Sequence, residues 1–416
     1  MKIGLILVVG LVLRLIGLNQ SLWLDEAITA RVARNYGYQE IVEKFSVNDF
    51  HQPLYYLFIR GWGGVFGYSE VSLRMPSVIF SLITVYLIYL IGGVGPAMLV
   101  GVNPLLIYYS QEARMYSMAT MLLAAWWWTI KNNKVKLGNF FSFLAVMTYY
   151  GSVLPILALN IYWLITKQFK KIAQSNFGLA GAGLVLAPLI LRQWQNSKIM
   201  LSQVANWNLV LGRVELKNLL LIPIKFFSGR ISFYPKILYY LIAGIWAIII
   251  GFKVIKKRQE VAVAGITVML GMALSFWAPM LSYFRFVYLI PLLCLVIGKS
   301  RLVGAGFLAF SLVYVLFPQF HREDWKTLAS EIKTDKVYMI GSFGDPVMYY
   351  KPEIKIYDLR SKMYGDKKIE VVPYGEEIHG VNHREILGKQ GYKMIEEKSY
   401  RGLTSERWEK NVNSDQ

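Results

Sequence analysis

Long apolar runs alternate with short polar segments from residue 3 to about residue 317, and the pattern then stops. A helix needs about 20 apolar residues to cross the hydrocarbon core of a bilayer, so repeated runs of this kind are typical of membrane helices. The pattern predicts a multi-pass α-helical membrane protein with about eleven transmembrane helices, at about 3–19, 73–92, 94–110, 113–130, 138–150, 152–166, 176–191, 236–252, 261–280, 286–298 and 301–317.

Two of these runs need comment. The first resembles a signal peptide, but no small-residue cleavage site precedes Trp23, so we interpret it as a retained membrane helix. The third contains Pro96 and Pro104, and proline inside a helix removes a hydrogen bond, so this segment is predicted to be broken.

Lysine and arginine gather in the short loops that follow the fourth, sixth, eighth and tenth runs. These loops fall on one side if the helices alternate, and an excess of positive charge marks the cytoplasmic side. We therefore predict a protein of the plasma (inner) membrane with a cytoplasmic N-terminus. The first outer loop (about 20–72), a second loop (about 192–235) and the tail from about 318 are then exoplasmic.

The polar tail, residues 318–416, is long enough for a small domain beside the membrane domain of residues 1–317. Its pattern predicts alternating helices and strands, so we expect a small C-terminal α/β exoplasmic domain. Helices are predicted at 323–333 and 383–389, and strands at 336–340, 354–357, 368–372 and 393–397. Juxtamembrane loop helices are expected on the same exoplasmic side.

Composition agrees with the membrane interpretation. Hydrophobic residues make up 55% of the chain, the mean hydropathy is +0.39, and charged residues are only 17% against about 25% in soluble domains. A net charge of +19 would suggest nucleic acid in a soluble protein, but here the lysines orient helices, so no nucleic-acid partner is predicted. The single cysteine, Cys294, lies in an apolar run, so it forms no disulfide within the chain and indicates nothing about the compartment.

Charged and aromatic residues recur where the predicted helices meet the outer face. Each buried charge near the membrane is costly, about 2.5–3.5 kcal/mol at the bilayer centre on the mildest scale, so their convergence argues for a site. Taken alone, an acidic pair is also typical of a helix cap, and a lone arginine of an interfacial anchor. The residues concerned are Asp25, Glu26, His51, Arg74, Glu112, Arg114, Tyr116 and Arg285, with Arg14 as a weaker candidate.

The order of motifs carries a resemblance. The segments SLWLDEA (21–27), HQPLYY (51–56), SEVSLRMPS (69–77) and NPLLIYYSQEARMY (103–116) resemble the N-terminal half of glycosyltransferase superfamily C. The nearest branch is the family of protein O-mannosyltransferases and aminoarabinose transferases to lipid A, or family 39. FRFVY (284–288) and REDWK (322–326) resemble that family's later motifs. The chain departs from the family at Gln52, where a proline is usual.

The resemblance implies transfer of a sugar from a polyprenyl-phosphate or polyprenyl-diphosphate donor, with inversion. It implies Asp25, with Glu26 beside it, as the catalytic carboxylate. A phosphate is already a good leaving group, so one carboxylate is enough to take the acceptor proton. Arginine matches phosphate geometry, so Arg74, Arg114 and Arg285 are predicted to hold the donor phosphate. His51, Glu112 and Tyr116 are predicted to position the acceptor or the loop.

Several questions stay open at this level. The acceptor could be a protein hydroxyl, a lipid or a cell-wall glycan. The sequence requires no metal, since His321, His379 and His383 form no ligand pattern, although a divalent ion is compatible with it. A transporter or flippase would show inverted repeats and midplane charges. A lipid-linked glycan polymerase would place its catalytic loop late in the chain, and a structural subunit would leave Asp25 replaceable.

Overall fold

The computed structural model describes residues 3–204, 206, 211–232, 234–241, 244, 245, 248, 258–361 and 366–411. Apolar helices form a bundle with one continuous core, and a small mixed sheet follows them. The main bundle helices are Ile3–Leu15, Glu70–Gly92, Tyr116–Lys131, Val135–Thr148, Val153–Ile165, Phe177–Gln203, Arg258–Leu274, Ile290–Ile297 and Arg301–Leu316.

Most of these helices agree with the predicted runs to within a few residues. Helix Phe177–Gln203 instead continues well past the predicted end at residue 191, into the segment predicted as the second outer loop. About half of the run at about 236–252 lies outside the described residues. Shorter helices lie at Phe169–Ser175 and Leu216–Ser228, and 3₁₀ turns at Tyr150–Ser152, Tyr283–Leu289 and Pro318–Phe320. Among the described residues, two helical segments, Glu70–Gly92 and Phe177–Ser197, are long and apolar enough to cross a membrane, judged by length and composition alone. The number of crossing helices, about eleven, stays a prediction.

The break expected between residues 94 and 110 is present. Helices Val94–Gly101 and Pro104–Ser110 are separated at Asn103, which caps the second helix through its side chain. A broken helix leaves carbonyl groups without partners. The buried Arg14 donates to the carbonyl oxygens of Gly101 and Val100, at 2.8 and 3.5 Å. Arg14 therefore links the first helix to the end of helix Val94–Gly101, and this role is structural.

The first outer loop contains the expected juxtamembrane helices, at Leu24–Asn35 and Leu54–Phe66. Between them the chain makes a short α-helical turn, a π-helical turn and another α-helical turn, at Tyr38–Glu40, Ile41–Phe45 and Ser46–Asp49. The helix Leu54–Phe66 buries Tyr55, Tyr56 and Ile59 and exposes Val65 and Phe66. An amphipathic helix of this kind is suited to the membrane surface.

The C-terminal lobe is a five-stranded sheet with strand order β2-β1-β3-β5-β4. Strands β1 (Lys336–Met339), β2 (Lys355–Asp358) and β3 (Lys368–Val371) are parallel, while β4 (Tyr392–Tyr400) and β5 (Leu403–Lys410) form an antiparallel hairpin. The lobe also contains helices Trp325–Glu331, Asp345–Tyr350, Glu376–His379 and His383–Lys389 and a 3₁₀ turn at Gly341–Phe343. A small α/β lobe is thus confirmed, although β5 and helix Asp345–Tyr350 had not been predicted.

The lobe rests on the first outer loop. Lys326 pairs with Glu70 at 2.9 Å, and the Tyr350 hydroxyl accepts a hydrogen bond from the backbone N–H of Leu22 at 2.8 Å. Leu24 packs against the lobe core around Trp325. The lobe and the loop therefore lie on the same side of the bundle, directly beside Asp25.

Candidate active site

The site begins at the N-terminus of helix Leu24–Asn35, whose first turn carries Asp25 and Glu26. Carboxylates are favoured there because the N-terminal end of a helix is partially positive. The two side chains have different surroundings. Glu26 is fully buried, whereas one third (33%) of the Asp25 side chain is exposed. Only Asp25 of this pair can meet a ligand from outside without rearrangement.

Glu26 is fixed by Arg74, which donates from Nε to Oε1 at 2.8 Å and from Nη2 to Oε2 at 2.5 Å. The backbone N–H of Ala113 also donates to Oε1, at 2.7 Å. Burial alone would raise the pKa of Glu26, but the charges of Arg74 and Arg322 outweigh it and lower the pKa. Glu26 is therefore held as a carboxylate.

Arg74 has no donor left over. Its other N–H groups bond to three backbone carbonyls between the first helix and the loop, those of Leu18, Gln20 and Ser21. All five guanidinium hydrogens are thereby used. The prediction that Arg74 binds phosphate stays a prediction, and this geometry favours a structural role instead.

Arg114 faces Asp25, with Nη2 3.5 Å from Oδ2. Its two terminal nitrogens also donate to the Tyr56 hydroxyl at 2.7 Å and to His51 Nε2 at 3.3 Å. Behind them, Asp49 Oδ2 accepts from Tyr56 Oη at 2.7 Å and from His51 Nδ1 at 2.9 Å. The predicted residue Arg114 thus contacts Asp25, and the predicted residue His51 contacts Arg114. The sequence reasoning missed Asp49 and Tyr56.

Glu112 lies in the turn between helices Pro104–Ser110 and Tyr116–Lys131 and is almost fully buried. Its Oε2 accepts from Arg322 Nη2 at 3.2 Å. Burial raises the pKa of Glu112 to about 7, since the Arg322 charge offsets it only in part and the Glu26 charge adds to it. Glu112 is therefore a weaker acid than Glu26.

Arg322 was not predicted as a site residue, although it opens the REDWK segment. Its Nε lies 3.4 Å from Glu26 Oε2, and its guanidinium stacks 4.3 Å from the Tyr108 ring centre. The Arg322 carbonyl accepts from Arg401 Nε at 2.7 Å. This arginine therefore connects the start of the lobe to the buried carboxylates. An arginine directly after the last apolar run was the available signal.

Two further arginines, Arg285 and Arg230, form fewer hydrogen bonds than Arg74 does. Arg285 is half-buried in the 3₁₀ turn Tyr283–Leu289, and within the described part of the chain its guanidinium makes only a cation–π contact, with Phe284 at 5.7 Å. Arg230, which was not predicted, donates to the Tyr283 hydroxyl at 2.7 Å and lies over the Tyr108 ring at 5.2 Å. Both retain N–H groups that could bind an anion.

A row of tyrosine rings connects these arginines through the predicted residue Tyr116. Successive ring centres lie 5.1, 5.0, 5.8 and 6.3 Å apart, in the order Tyr108, Tyr109, Tyr116, Tyr149 and Tyr288. Tyrosine combines an apolar ring with a polar tip. The five rings are almost fully buried and pack against one another, so the row forms part of the core between the two arginines.

Buried polar atoms without hydrogen-bond partners among the described residues are frequent here. Buried polar atoms are nearly always paired in folded proteins, and leaving one unpaired costs about 1–3 kcal/mol. A concentration of such atoms marks a place where a ligand can supply the missing partners. They include the Gln52 amide, Glu112 Oε1, Arg114 Nε and Arg322 Nη1.

The described residues contain no group of three or more histidine, cysteine, aspartate or glutamate side chains arranged to hold a metal ion. Of the histidines considered above, His51 contacts Asp49 and Arg114, and His321 contacts the Tyr314 carbonyl at 3.1 Å. His383 lies between Glu376 and Glu406 in the lobe.

No protein-family model and no curated protein matches the chain. Among solved structures, the chain is similar to ArnT from Cupriavidus metallidurans bound to undecaprenyl phosphate, with a TM-score of 0.59 and 11% identity over 99% of this chain and 97% of that one. The apo state of the same protein gives 0.58 and 10% identity over 97% of both chains. The chain has the fold of ArnT, so the predicted resemblance to superfamily C is confirmed for the fold.

Proposed function

We propose that this protein is a membrane glycosyltransferase that moves a sugar from a polyprenyl-phosphate or polyprenyl-diphosphate donor to an exoplasmic acceptor, with Asp25 as the base. The proposal rests on a difference in exposure among three neighbouring carboxylates, Asp25, Glu26 and Glu112. Glu26 and Glu112 are almost fully buried and paired with arginines, while Asp25 is one-third exposed and beside a cation. A base must reach the proton that it takes, and Asp25 is placed to do so.

The reaction needs few groups. The acceptor hydroxyl oxygen attacks the anomeric carbon, the bond from that carbon to the phosphate oxygen breaks, and the phosphate leaves as an anion. The acceptor proton passes to Asp25. Inversion follows because attack and departure occur on opposite faces of the sugar. Positive charge at the phosphate replaces a general acid.

We assign the arginines of the site to different roles according to their positions. In inverting glycosidases the base and the acid at the leaving group are about 6.5–9.5 Å apart. Arg114, whose Nη2 is 3.5 Å from Asp25, therefore belongs to the base side, although its Nε–H is still free to reach a ligand. Arg285 and Arg230, across the tyrosine row, are assigned to the donor phosphate. Arg74 is assigned to positioning Glu26 and the loop.

The lipid part of the donor is supported by one observation: ArnT, which has the same fold, has been solved with undecaprenyl phosphate bound. In this chain a small apolar cavity between helices is lined by Tyr288, Trp126, Trp127, Pro155 and Leu295. Its volume is only about 30 Å³, too small for a prenyl tail, so it is not assigned to the donor lipid. The acceptor, whether protein, lipid or cell-wall glycan, lies outside this proposal.

Replacing Asp25 by asparagine tests the proposal. Asp25→Asn keeps the shape and removes the proton acceptor, so turnover should fall by roughly 10²–10⁴-fold with donor affinity little changed. Activity would be followed as release of polyprenyl phosphate from purified protein in lipid. Glu43→Gln, an exposed carboxylate in the same loop, is the matched control and should be unchanged. Near-normal turnover in Asp25→Asn would refute the assignment of the base.

A further inference from the structure

Two adjacent carboxylates in this site meet their arginines in different ways. Arg74 closes a two-pronged fork on Glu26, at 2.8 and 2.5 Å. Arg114 approaches Asp25 with one nitrogen only, at 3.5 Å. A fork is the preferred geometry of an arginine–carboxylate pair. Other contacts of Arg114 must therefore keep it from forming a two-pronged contact with Asp25.

The restraint is a closed ring of hydrogen bonds, which we call the Asp49 ring. Asp49 Oδ2 accepts from both Tyr56 and His51, and these two accept in turn from the two terminal nitrogens of Arg114. Both terminal nitrogens of the guanidinium are thereby held by the ring, including Nη2, which also contacts Asp25. The neutral His51 tautomer with hydrogen on Nδ1 satisfies every bond of the ring.

Local backbone geometry builds this ring. Phe50, between Asp49 and His51, has a left-handed backbone conformation, with φ 59° and ψ 17°. Such a conformation is unfavourable for a residue with a side chain, by roughly 1–2 kcal/mol, and is common at functional sites. The turn lets Asp49 and His51 face each other although only one residue separates them. Gln193 also donates to the His51 carbonyl, at 3.2 Å, and fixes the turn from the bundle.

We propose that Asp49 is a positioning residue for the reaction: through His51 and Tyr56 it holds Arg114 in a one-pronged contact with Asp25 and so keeps the Asp25 carboxylate available as a base. This inference rests on the proposed function. A carboxylate enclosed by an arginine fork has both oxygens occupied and accepts a proton poorly. Arg114 in the ring still orients Asp25 but leaves one carboxylate oxygen for the acceptor hydroxyl.

The first measurement compares Asp49→Asn with the unaltered protein. The asparagine amide oxygen accepts weaker hydrogen bonds than a carboxylate does, so the ring loosens and Arg114 can close on Asp25. The kcat should therefore fall by up to about 10²-fold, the usual effect of misplacing a reacting group. Donor affinity, measured with the polyprenyl phosphate alone, should stay within about twofold, since Arg285 and Arg230 are untouched. Glu43→Gln is again the control. Unchanged kcat, or a loss confined to donor affinity, would overturn the inference.

The second measurement separates this role from a general structural one. Lysine is a point charge and cannot form a fork. In the Asp49→Asn background, Arg114→Lys should therefore recover part of the lost kcat, although Arg114→Lys alone lowers it. A double variant no more active than Asp49→Asn would overturn the inference. If Asp25→Asn kept full activity, the proposed function itself would fail, whereas an inactive Asp25→Asn with a normal Asp49→Asn would remove only the role of Asp49.

Discussion

Arg74 and Glu26 form a fully buried ion pair in which both carboxylate oxygens accept from one guanidinium. The pair joins helix Glu70–Gly92 to the first turn of the loop helix. Asp25 is the neighbour of Glu26 in that turn, so the pairing also helps to fix the position of Asp25. Placement of the proposed base thus depends on Arg74, which has no role in donor binding in the proposed reaction.

Breaking this pair should destabilise the protein strongly. Glu26→Gln leaves the Arg74 charge buried without its counter-ion, and removing one partner of a buried pair costs about 3–5 kcal/mol. We expect a clear fall in the midpoint of thermal unfolding in detergent. The control is Lys326→Gln, which removes the exposed pair with Glu70. Exposed pairs contribute only about 0–1 kcal/mol, so an equal fall in both variants would contradict this view of the Arg74–Glu26 pair.

The sequence predicted the bundle well because the apolar runs record burial directly. It also singled out Asp25, Arg114 and His51, which stand in recognisable motifs and whose roles stay predictions. It could not predict the Asp49 ring or the role of Arg322, because those depend on contacts between segments far apart in the chain. Strand β5 was missed because its inward positions include Glu406, which is buried against His383 and so does not look apolar.

The predicted orientation can be tested with fusions. The lobe contacts Glu70 and Leu22 of the first outer loop, so loop and lobe share one side, and the lysine distribution predicts that this side is exoplasmic. A reporter that is active only outside the cytoplasm should be active after residue 416. The same reporter placed in the lysine-bearing loop at 132–134 should be silent. The reverse pattern would place Asp25 in the cytoplasm.

The lobe should lose stability as pH rises above neutral. His383 is buried with Glu376 at 2.8 Å on Nδ1 and Glu406 at 2.7 Å on Nε2. Burial alone would lower the pKa of His383, but the hydrogen bonds and charges of the two carboxylates outweigh it and raise the pKa. A raised pKa stabilises the folded lobe fully below the unfolded value, about 6.5, and this contribution is lost as pH rises through the folded value.

The measurement is the unfolding temperature of the lobe between pH 6.5 and 8.5. It should fall with pH in the unaltered protein, and His383→Gln should flatten the slope. His379→Gln is the matched control, because burial lowers the pKa of His379, so this histidine contributes no stability that is lost as pH rises. An unchanged slope in His383→Gln would show that the imidazolium does not hold the lobe together.

Donor affinity should depend on Arg285 and Arg230 and much less on Arg74. The guanidinium groups of Arg285 and Arg230 retain free N–H donors, whereas every donor of Arg74 is already used. A hydrogen bond to a charged group contributes about 1.5–3 kcal/mol, so alanine at either position should weaken binding of undecaprenyl phosphate roughly 10–100-fold. Binding can be measured by native mass spectrometry on protein in detergent.

The same binding assay tests whether donor affinity depends on the shape of the Arg285 guanidinium as well as on its charge. Arg285→Lys should restore only part of the affinity, because a single ammonium cannot reproduce the paired donors of a guanidinium. Arg192→Ala removes an exposed cation from the interior of helix Phe177–Gln203 and controls for the general loss of positive charge. Arg74→Lys should lower stability more than affinity. One result would contradict this assignment: Arg74→Lys weakens donor binding as much as Arg285→Ala does while the protein stays folded. The donor phosphate would then have to lie beside Glu26, and the assignment of Arg285 and Arg230 to the phosphate would be wrong.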